Sequence, residues 1–265
     1  MTQSFTILGC GSSGGVPRVG QGWGACDPGE PRNRRRRCSL LAERIGEDGA
    51  RTTVLIDTSP DLREQLLGAD VRRLDGVVIS HEHADHTHGL DDVRPLTILH
   101  RKRLDTWLDA ETSALLRQRF GYCFETPPGS DYPPILQEHR FRHGETLKVN
   151  GPGGSLSMVP FRLYHGQITA FGFRFGGLAY TPDLHDIPAE SLSYLEGLDV
   201  WIVDALRPTP HPSHFSLGDA LGWIERLKPK RAILTNMHVD LDYGTLRREL
   251  PPGIEPAYDG MTITL

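Results

Sequence analysis

The feature that most constrains this chain is a dense group of metal-ligating side chains placed directly after a short apolar segment. Residues 76–80 (GVVIS) are apolar and β-branched, which is typical of a buried strand. The sequence HEHADH follows at 81–86. Side chains two residues apart in an extended backbone point the same way, so His81 and His83 can bind one ion together. The sequence therefore predicts a metal site on the loop after this strand.

Three later strands are also predicted to deliver metal-ligating side chains at their ends. His165 ends one apolar segment and precedes a glycine, Asp183 follows a second, and His238 follows a third. Taken singly, each of these residues is more often a hydrogen-bonded polar group than a ligand. They gain weight because they share one pattern with the histidine motif, a ligand type at the end of an apolar strand.

The order of strands and helices predicts the fold class. The chain has 265 residues, rich in glycine and proline, and segments typical of strands alternate with helical ones without an intervening linker. This pattern predicts one α+β domain over residues 1–265. Its two β-sheets are expected to lie face to face with helices outside, as a four-layer αββα sandwich.

Charge and composition indicate which kinds of molecule the protein is expected to bind. The net charge of −5 argues against a general nucleic-acid binder. No segment approaches the roughly 18 apolar residues of a membrane span, and the N-terminus lacks the features of a signal peptide, so we expect a cytoplasmic protein without membrane contact. The basic block at 32–37 (RNRRRR) either binds phosphate or forms a solvated face, and the sequence leaves both interpretations open.

Over nearly its whole length the chain resembles the metallo-β-lactamase fold hydrolases. It is most similar to the branch that contains phosphoribosyl 1,2-cyclic phosphate phosphodiesterase, alongside ribonuclease Z. Besides the histidine motif, the resemblance rests on the Gly-x-Gly and Val-Pro after the first strand, on the arginine-rich segment ending in Cys38-Ser39, and on 259–261 (DGM).

This resemblance implies a ligand set for two metal ions. His81, His83 and His165 would bind one ion. The second ion would be held by Asp85, His86 and His238, with Asp183 bridging the two. Imidazole and carboxylate ligands without thiolate suit zinc or manganese, and iron also fits.

The chain departs from that family in two places. The family carries a Cys-x-Cys-x-x-Cys zinc cluster after the Val-Pro, whereas only Cys26 remains here, so we expect no structural zinc. The family also has Thr-His at the last ligand, whereas this chain has Thr235-Asn236, with the histidine two residues later. A step of two residues along a strand preserves the facing direction, so His238 is the predicted ligand and Asn236 the alternative.

The resemblance also implies a mechanism. Two ions would share a hydroxide that attacks a phosphodiester. His214 resembles the family's active-site histidine that binds no metal, and it would protonate the leaving oxygen; the alternative is a solvent-exposed histidine at the start of a helix. Asp85 would both bind metal and orient the hydroxide.

The predicted function is therefore a dinuclear phosphodiesterase acting on a small cyclic phosphate or nucleotide-like substrate. The alternatives are RNA 3′-processing like that of ribonuclease Z, hydrolysis of a carboxylic ester, thioester or lactam, and a non-catalytic module that binds metal or nucleotide. The acidic net charge and the lack of a long basic insertion disfavour RNA. The resemblance further implies a homodimer.

Overall fold

Fourteen strands form two seven-stranded sheets in the computed structural model, which describes residues 2–265. In chain order the strands are β1 (Thr2–Gly9), β2 (Ser39–Ile45), β3 (Arg51–Ile56), β4 (Gly76–Val78), β5 (Leu104–Leu108), β6 (Leu136–Arg140), β7 (Leu147–Gly151), β8 (Gly154–His165), β9 (Ile168–Phe175), β10 (Leu178–Thr181), β11 (Val200–Asp204), β12 (Arg231–Thr235), β13 (Ile254–Pro256) and β14 (Met261–Thr264). The first sheet has the order β14-β1-β2-β3-β4-β5-β6 and the second the order β13-β12-β11-β10-β9-β8-β7.

Each sheet is antiparallel in one half and parallel in the other. β14, β1, β2 and β3 pair antiparallel, and β3 to β6 pair parallel. In the second sheet β7 to β10 pair antiparallel, and β10 to β13 pair parallel. The C-terminal ends of neighbouring parallel strands meet at one edge of a sheet, so loops after β3, β4, β10, β11 and β12 can converge.

The helices connect the strands. They are α1 (Leu62–Gly68), α2 (Ala84–Thr87), α3 (Arg94–His100), α4 (Ala110–Phe124), α5 (Leu217–Leu227) and α6 (Tyr243–Glu249), with 3-10 turns at Pro31–Asn33, Leu90–Val93 and Ala189–Leu195. Three of them begin at side-chain caps: Asp109, Ser216 and Asp242 each accept a hydrogen bond from a backbone N–H of the first turn.

Successive side chains along a strand face opposite sides of the sheet and therefore pack in different layers of the fold. On β1 to β3, one set of side chains, Phe5, Ile7, Leu40, Ala42, Val54 and Ile56, packs in the core shared with the second sheet. The intervening Leu41 and Leu55 instead pack in a second cluster with α1 and α4. Helix α5 contributes Ala220 and Ile224 to the core from the far side. The predicted α+β, four-layer αββα sandwich is confirmed.

The side chains of the arginine-rich block at 32–37 form contacts with other parts of the same chain. Arg36 and Arg37 form ion pairs with Asp259 and Asp61, at 3.1 and 2.8 Å. Arg35 is buried and donates hydrogen bonds to the Asn33 side chain and the His238 carbonyl. The remaining two, Arg32 and Arg34, lie over aromatic rings. These contacts make the block a structural element that ties the N-terminal loops to the C-terminal part of the chain.

Among residues 2–265, no helix is both long enough and apolar enough to cross a membrane.

Candidate metal centre

The first group of candidate ligands gathers His81, His83, His165 and Asp183. Their ligand atoms all lie within 4.8 Å of one another. His81 follows the end of β4, and His83 has the extended backbone that caps the short helix α2. His165 is the last residue of β8, and its Nε2 lies 3.1 Å from His83 Nδ1. Four side chains from the ends of three strands thus point to the same place.

The second group contains Asp85, His86 and, again, Asp183. Helix α2 places Asp85 and His86 side by side in its first turn, with His86 Nε2 3.5 Å from the Asp85 carboxylate. The two oxygens of Asp183 separate the groups. Its Oδ2 faces His81 and His165 at 3.7 and 3.6 Å, and its Oδ1 faces His86 at 3.3 Å. One carboxylate can therefore contribute to both groups.

The groups fit metal ions because two buried imidazole nitrogens form no hydrogen bond. Nε2 of His81 and Nε2 of His86 are buried and have no hydrogen-bond partner among the described residues. Buried polar atoms without a partner are rare in folded proteins and call for an explanation. Imidazole and carboxylate together suit divalent transition metals. The cluster thus suggests a dinuclear metal site.

Hydrogen bonds hold the imidazoles with these nitrogens facing inward. Asp57 Oδ2 accepts from His86 Nδ1 at 2.8 Å and from the Ser80 hydroxyl at 2.8 Å, while Asp57 Oδ1 accepts from the Ser80 N–H. The Ser80 hydroxyl in turn lies 3.0 Å from His81 Nδ1. On the other side, His165 Nδ1 donates to the Ser213 carbonyl at 2.6 Å. Such outer contacts set the orientation and basicity of metal-binding histidines.

Asp57 is a residue that the sequence analysis missed. It follows β3, which pairs parallel with β4, and it is fully buried. The signal that could have identified Asp57 is its position directly after β3, the strand beside β4, which carries the histidines. Recognising it requires knowing that β3 and β4 are adjacent.

Burial and charge give the histidines different protonation states. Burial, assisted by the positive charge of neighbouring histidines, lowers the pKa of His81 well below its usual value. Burial also lowers the pKa of His165 to about 4. These imidazoles are neutral at pH 7, which is the form that binds metal. Burial opposes a charge on His86 too, but the carboxylates of Asp183, Asp85 and Asp57 outweigh it and raise its pKa.

His214 lies beside the two groups and belongs to neither. Its Nδ1 is 2.8 Å from Asp204 Oδ2, and its ring lies next to that of His165, with centroids 4.6 Å apart. Burial disfavours the charged ring, but the carboxylates of Asp204 and Asp183 raise the pKa of His214 to about 9. Burial raises the pKa of Asp204 to about 7, against the opposing effect of His214. This pair holds a proton next to the metal centre.

The structure does not bring His238 into the second group, contrary to the prediction. β12 ends at Thr235, and the next residue, Asn236, has a left-handed backbone with φ +59°, so the alternation of a strand does not continue. Both ring nitrogens of His238 are engaged elsewhere, Nε2 by Arg18 at 2.6 Å and Nδ1 by Asp240 at 2.8 Å.

Asn236 occupies the position beside the Asp183 carboxylate instead. Its amide Nδ2 lies 3.2 Å from Asp183 Oδ1 and 3.1 Å from Asp204 Oδ1. Of the two alternatives in the sequence, Asn236 is the one next to the centre.

An open cleft adjoins the centre on the side of His83. Glu82, His83, Ala84, His88, Arg119 and Phe120 line it. Helix α4 departs from helical geometry at Phe120, with φ −131° and ψ 34°, and the Phe120 ring packs edge-on against His88. Arg119 binds the carboxylate and the carbonyl of Glu82, which ties α4 to the metal-binding loop. The centre is therefore accessible from this side.

Comparison with known proteins places the fold and the site in one family. A family model described as "Beta-lactamase superfamily domain" matches residues 52–237, a segment that runs from β3 to just beyond Asn236. This chain belongs to the metallo-β-lactamase superfamily. The histidine and aspartate cluster of this superfamily member could hold metal ions.

Two solved structures show how similar this chain is to known proteins. A solved structure described as a new diphosphatase from the PhnP family is 36% identical, with a TM-score of 0.88, and the match covers 100% of this chain and 98% of that one. Human tRNase Z, short form, is 16% identical with a TM-score of 0.64 over 98% of both chains, which shows the shared fold alone.

A curated relative is longer than this chain. An octanoyltransferase from Porphyromonas gingivalis (strain ATCC BAA-308 / W83) is 34% identical over 260 residues, which are 96% of this chain and 50% of that protein. The chain thus spans about half the length of the curated relative that it matches.

Proposed function

We propose that this protein is a dinuclear hydrolase that cleaves a phosphodiester or diphosphate bond in a small, nucleotide-like substrate. The observation that carries the proposal is the geometry of Asp183, whose two oxygens face two separate groups of ligands while His214 stands beside them. The similarity to the diphosphatase of the PhnP family supports a phosphate substrate.

The proposed ligands follow the two groups. The first ion is assigned to His81, His83, His165 and Asp183, and the second to Asp85, His86 and Asp183. When bound, two divalent ions supply an activated water and neutralise negative charge on the phosphoryl oxygens.

His214 is assigned the role of general acid. Its Nδ1 is held by Asp204, and the described structure gives its Nε2 no hydrogen-bond partner, so that nitrogen can donate to a leaving oxygen. A raised pKa keeps the ring protonated at pH 7, which is the state an acid needs before it acts. Asp204 keeps the ring in one orientation. The second predicted role of Asp85, orienting the attacking water, stays part of the proposal.

The cleft beside His83 gives the organic part of the substrate room next to the centre. Manganese and zinc are the proposed metals. We also retain the proposal of one domain over residues 1–265, because one hydrophobic core contains side chains of both sheets.

The test combines metal analysis with two assays, hydrolysis of bis-p-nitrophenyl phosphate and of ADP. Wild type, Asp183→Ala and His214→Ala would each be loaded with Zn²⁺ or Mn²⁺, and His100→Ala, which changes an exposed histidine on α3, serves as the control. We expect near two ions per wild-type chain and loss of metal and turnover in Asp183→Ala. His214→Ala should keep its metals and lose about 10²- to 10⁴-fold in kcat.

Two bound metals without turnover of either phosphate substrate would contradict the proposal. Ester, thioester or lactam hydrolysis, or a binding role without turnover, would then be the better interpretation. Loss of metal in His214→Ala would make that histidine a ligand rather than an acid.

A further inference from the structure

The side chain of Arg18 is held in place from several sides. Its backbone pairs with Gly22 in a small hairpin, and its side chain runs across the face of Gly14. A Cβ at Gly14 would lie 2.6 Å from Arg18 Nε and 2.8 Å from Arg18 Cγ. Only glycine at this point lets the arginine side chain take this path.

His238 and Asp240 fix the end of that side chain. Arg18 donates from its guanidinium to His238 Nε2 at 2.6 Å, and His238 Nδ1 lies 2.8 Å from Asp240 Oδ2. Because a guanidinium can only donate, Nε2 must be the acceptor, and the imidazole proton lies on Nδ1 and is donated to Asp240. His238 therefore holds the guanidinium of Arg18 through Nε2.

The positive charge of Arg18 has no carboxylate partner. Of the residues that the structure describes, none places a carboxylate within 4 Å of its guanidinium, whereas Arg36 and Arg37 in the neighbouring segment each have one. The guanidinium carries five N–H donors, and the contact with His238 uses one of them. Donors and charge remain for a ligand.

Arg18 is connected to the candidate metal centre through His238 and Asn236. His238 follows Asn236 by two residues, so their Cα atoms are at most about 7.6 Å apart. The Asn236 amide is 3.2 Å from the bridging Asp183. Arg18 is thus held by the chain segment that also carries Asn236, the residue beside Asp183.

We propose that Arg18 binds a second phosphate group of the substrate, adjacent to the phosphoryl group that reacts. A guanidinium recognises phosphate oxygens with two parallel hydrogen bonds, and one held in advance loses little freedom on binding. His238 and Asp240 are the positioning residues. The inference rests on the proposed function and refines it, because it selects substrates with two linked phosphates over simple diesters.

A binding experiment tests the site independently of turnover. Methylenediphosphonate, in which carbon replaces the bridging oxygen, would be titrated calorimetrically into the metal-loaded wild type, Arg18→Gln and Arg72→Gln. Arg72 is exposed and pairs with Asp70 on the surface, so it is the matched control. We expect binding to Arg18→Gln to be about 10- to 100-fold weaker, as for loss of hydrogen bonds to a charged group, and binding to Arg72→Gln to match wild type. Affinities of Arg18→Gln and wild type within twofold of each other would overturn the inference.

Two variants of His238 distinguish a role in positioning Arg18 from a general role in the stability of the fold. Glutamine can accept a hydrogen bond from Arg18 through its side-chain oxygen, whereas alanine cannot. We expect His238→Ala to weaken methylenediphosphonate binding severalfold and His238→Gln to restore most of it, with unchanged metal content in both. Equal loss in both variants would overturn the positioning role.

Kinetics distinguish this inference from the proposed function. Arg18→Gln should raise KM for ADP at least tenfold more than KM for bis-p-nitrophenyl phosphate, because only ADP carries a second phosphate. Equal effects on both substrates would count against Arg18. If wild type hydrolyses neither substrate, the proposed function fails, and the titration still decides whether Arg18 binds the anion.

Discussion

At the scale of single residues, two side chains at the centre depend on an uncommon backbone conformation. Asp57 and Asn236 directly follow β3 and β12, and their φ values are +65° and +59°. Asp and Asn adopt this left-handed region more readily than most other residues. The turn directs Asp57 toward His86 and Asn236 toward Asp183. Local backbone geometry is thus part of how the site is built.

With asparagine at position 236, we expect the second group to bind its metal ion more weakly than it would with histidine there. The second group offers Asp85, His86 and Asp183, with the Asn236 amide close by. Histidine also tolerates a positive φ, so Asn236→His should add an imidazole ligand. We expect about tenfold tighter retention of the second ion.

The measurement is the metal-to-protein ratio after dialysis against a weak chelator. Asn150→His adds a histidine at an exposed position of β7 and controls for nonspecific binding. A ratio that is equal in wild type and Asn236→His would contradict the prediction.

At the scale of elements, the metal-binding loop is held by close backbone contacts. The Thr58 N–H donates to the His86 carbonyl, and the Gly89 N–H donates to the Thr58 carbonyl. A Cβ at Gly89 would lie 2.0 Å from the Ser59 carbonyl oxygen. The loop after β4 and the loop after β3 therefore pack as one unit, with glycine at the point of closest approach.

Substituting this glycine should disrupt the unit. Gly89→Ala forces two backbone segments apart, and we expect a loss of about 1–3 kcal/mol in the free energy of unfolding together with weaker metal binding. In contrast, Gly222→Ala lies within α5 with open space around it, and it should stabilise by roughly 0.5–1 kcal/mol. Urea denaturation of both variants provides the comparison. Equal stabilities of Gly89→Ala and wild type would refute the close-packing argument.

The cap of helix α6 is expected to make the stability of the fold depend on pH. Its cap Asp242 accepts hydrogen bonds from the N–H groups of Thr245 and Asp27 and from the Asn33 side chain. Burial opposes the charge, but these bonds outweigh it and lower the pKa of Asp242 to about 2. An unfolded aspartate titrates near pH 3.9, so the carboxylate stabilises the fold above about pH 4, and this contribution is lost as the pH falls toward 2.

Asp242→Ala should therefore cost about 0.5–2 kcal/mol at pH 7, and its difference from wild type should shrink between pH 4 and pH 2. Urea denaturation across this range measures the difference. Asp131→Ala, in the exposed loop before β6, serves as the control. A difference that does not change with pH would show that the carboxylate charge contributes nothing.

At the scale of the whole molecule, the candidate centre joins the two sheets. The first sheet supplies the loops after β3 and β4, with Asp57, His81 and His86. The second supplies His165 at the end of β8 and Asp183 after β10. Bound ions would link both halves, because ligands from both sheets surround each group.

Metal removal should then lower the stability of the entire fold. A ligand present at 100 times its Kd stabilises by about 2.7 kcal/mol, and for a chain of this size each kcal/mol shifts Tm by about 2–4 °C. We expect EDTA to lower Tm by about 5–10 °C, with recovery on adding Zn²⁺ or Mn²⁺. Asp183→Ala should not respond to EDTA. An unchanged wild-type Tm after verified metal loss would argue against a bridging centre.

The prediction of the fold from the sequence succeeded where patterns are local. The apolar run at 76–80 and the HEHADH motif place a strand and a ligand loop in direct succession, and the alternating segments indicate a sandwich. His165 and Asp183 were found because each ends an apolar segment. The single-domain, dimer and cytoplasmic predictions stay predictions.

Prediction was less complete where the answer depends on which strands are neighbours and where they end. Asp57 and Asp204 have no motif of their own, and their role appears only because β3 adjoins β4 and β11 adjoins β12. The choice between His238 and Asn236 assumed that β12 continues past Thr235. The strand stops there, so the side-chain alternation stops with it.

The sequence by itself determined the superfamily and singled out most of the histidines and aspartates that the fold gathers into the two candidate groups, because densely spaced histidines after a strand are a local property of the chain. Only the tertiary structure decided the outer partners of those ligands, the place of Asn236 and the contact between Arg18 and His238. Residues 18 and 238 are far apart in the chain, and their contact depends on how the N-terminal loop packs against the end of β12. Hydrogen bonds between distant segments follow from packing and topology, which no short motif records.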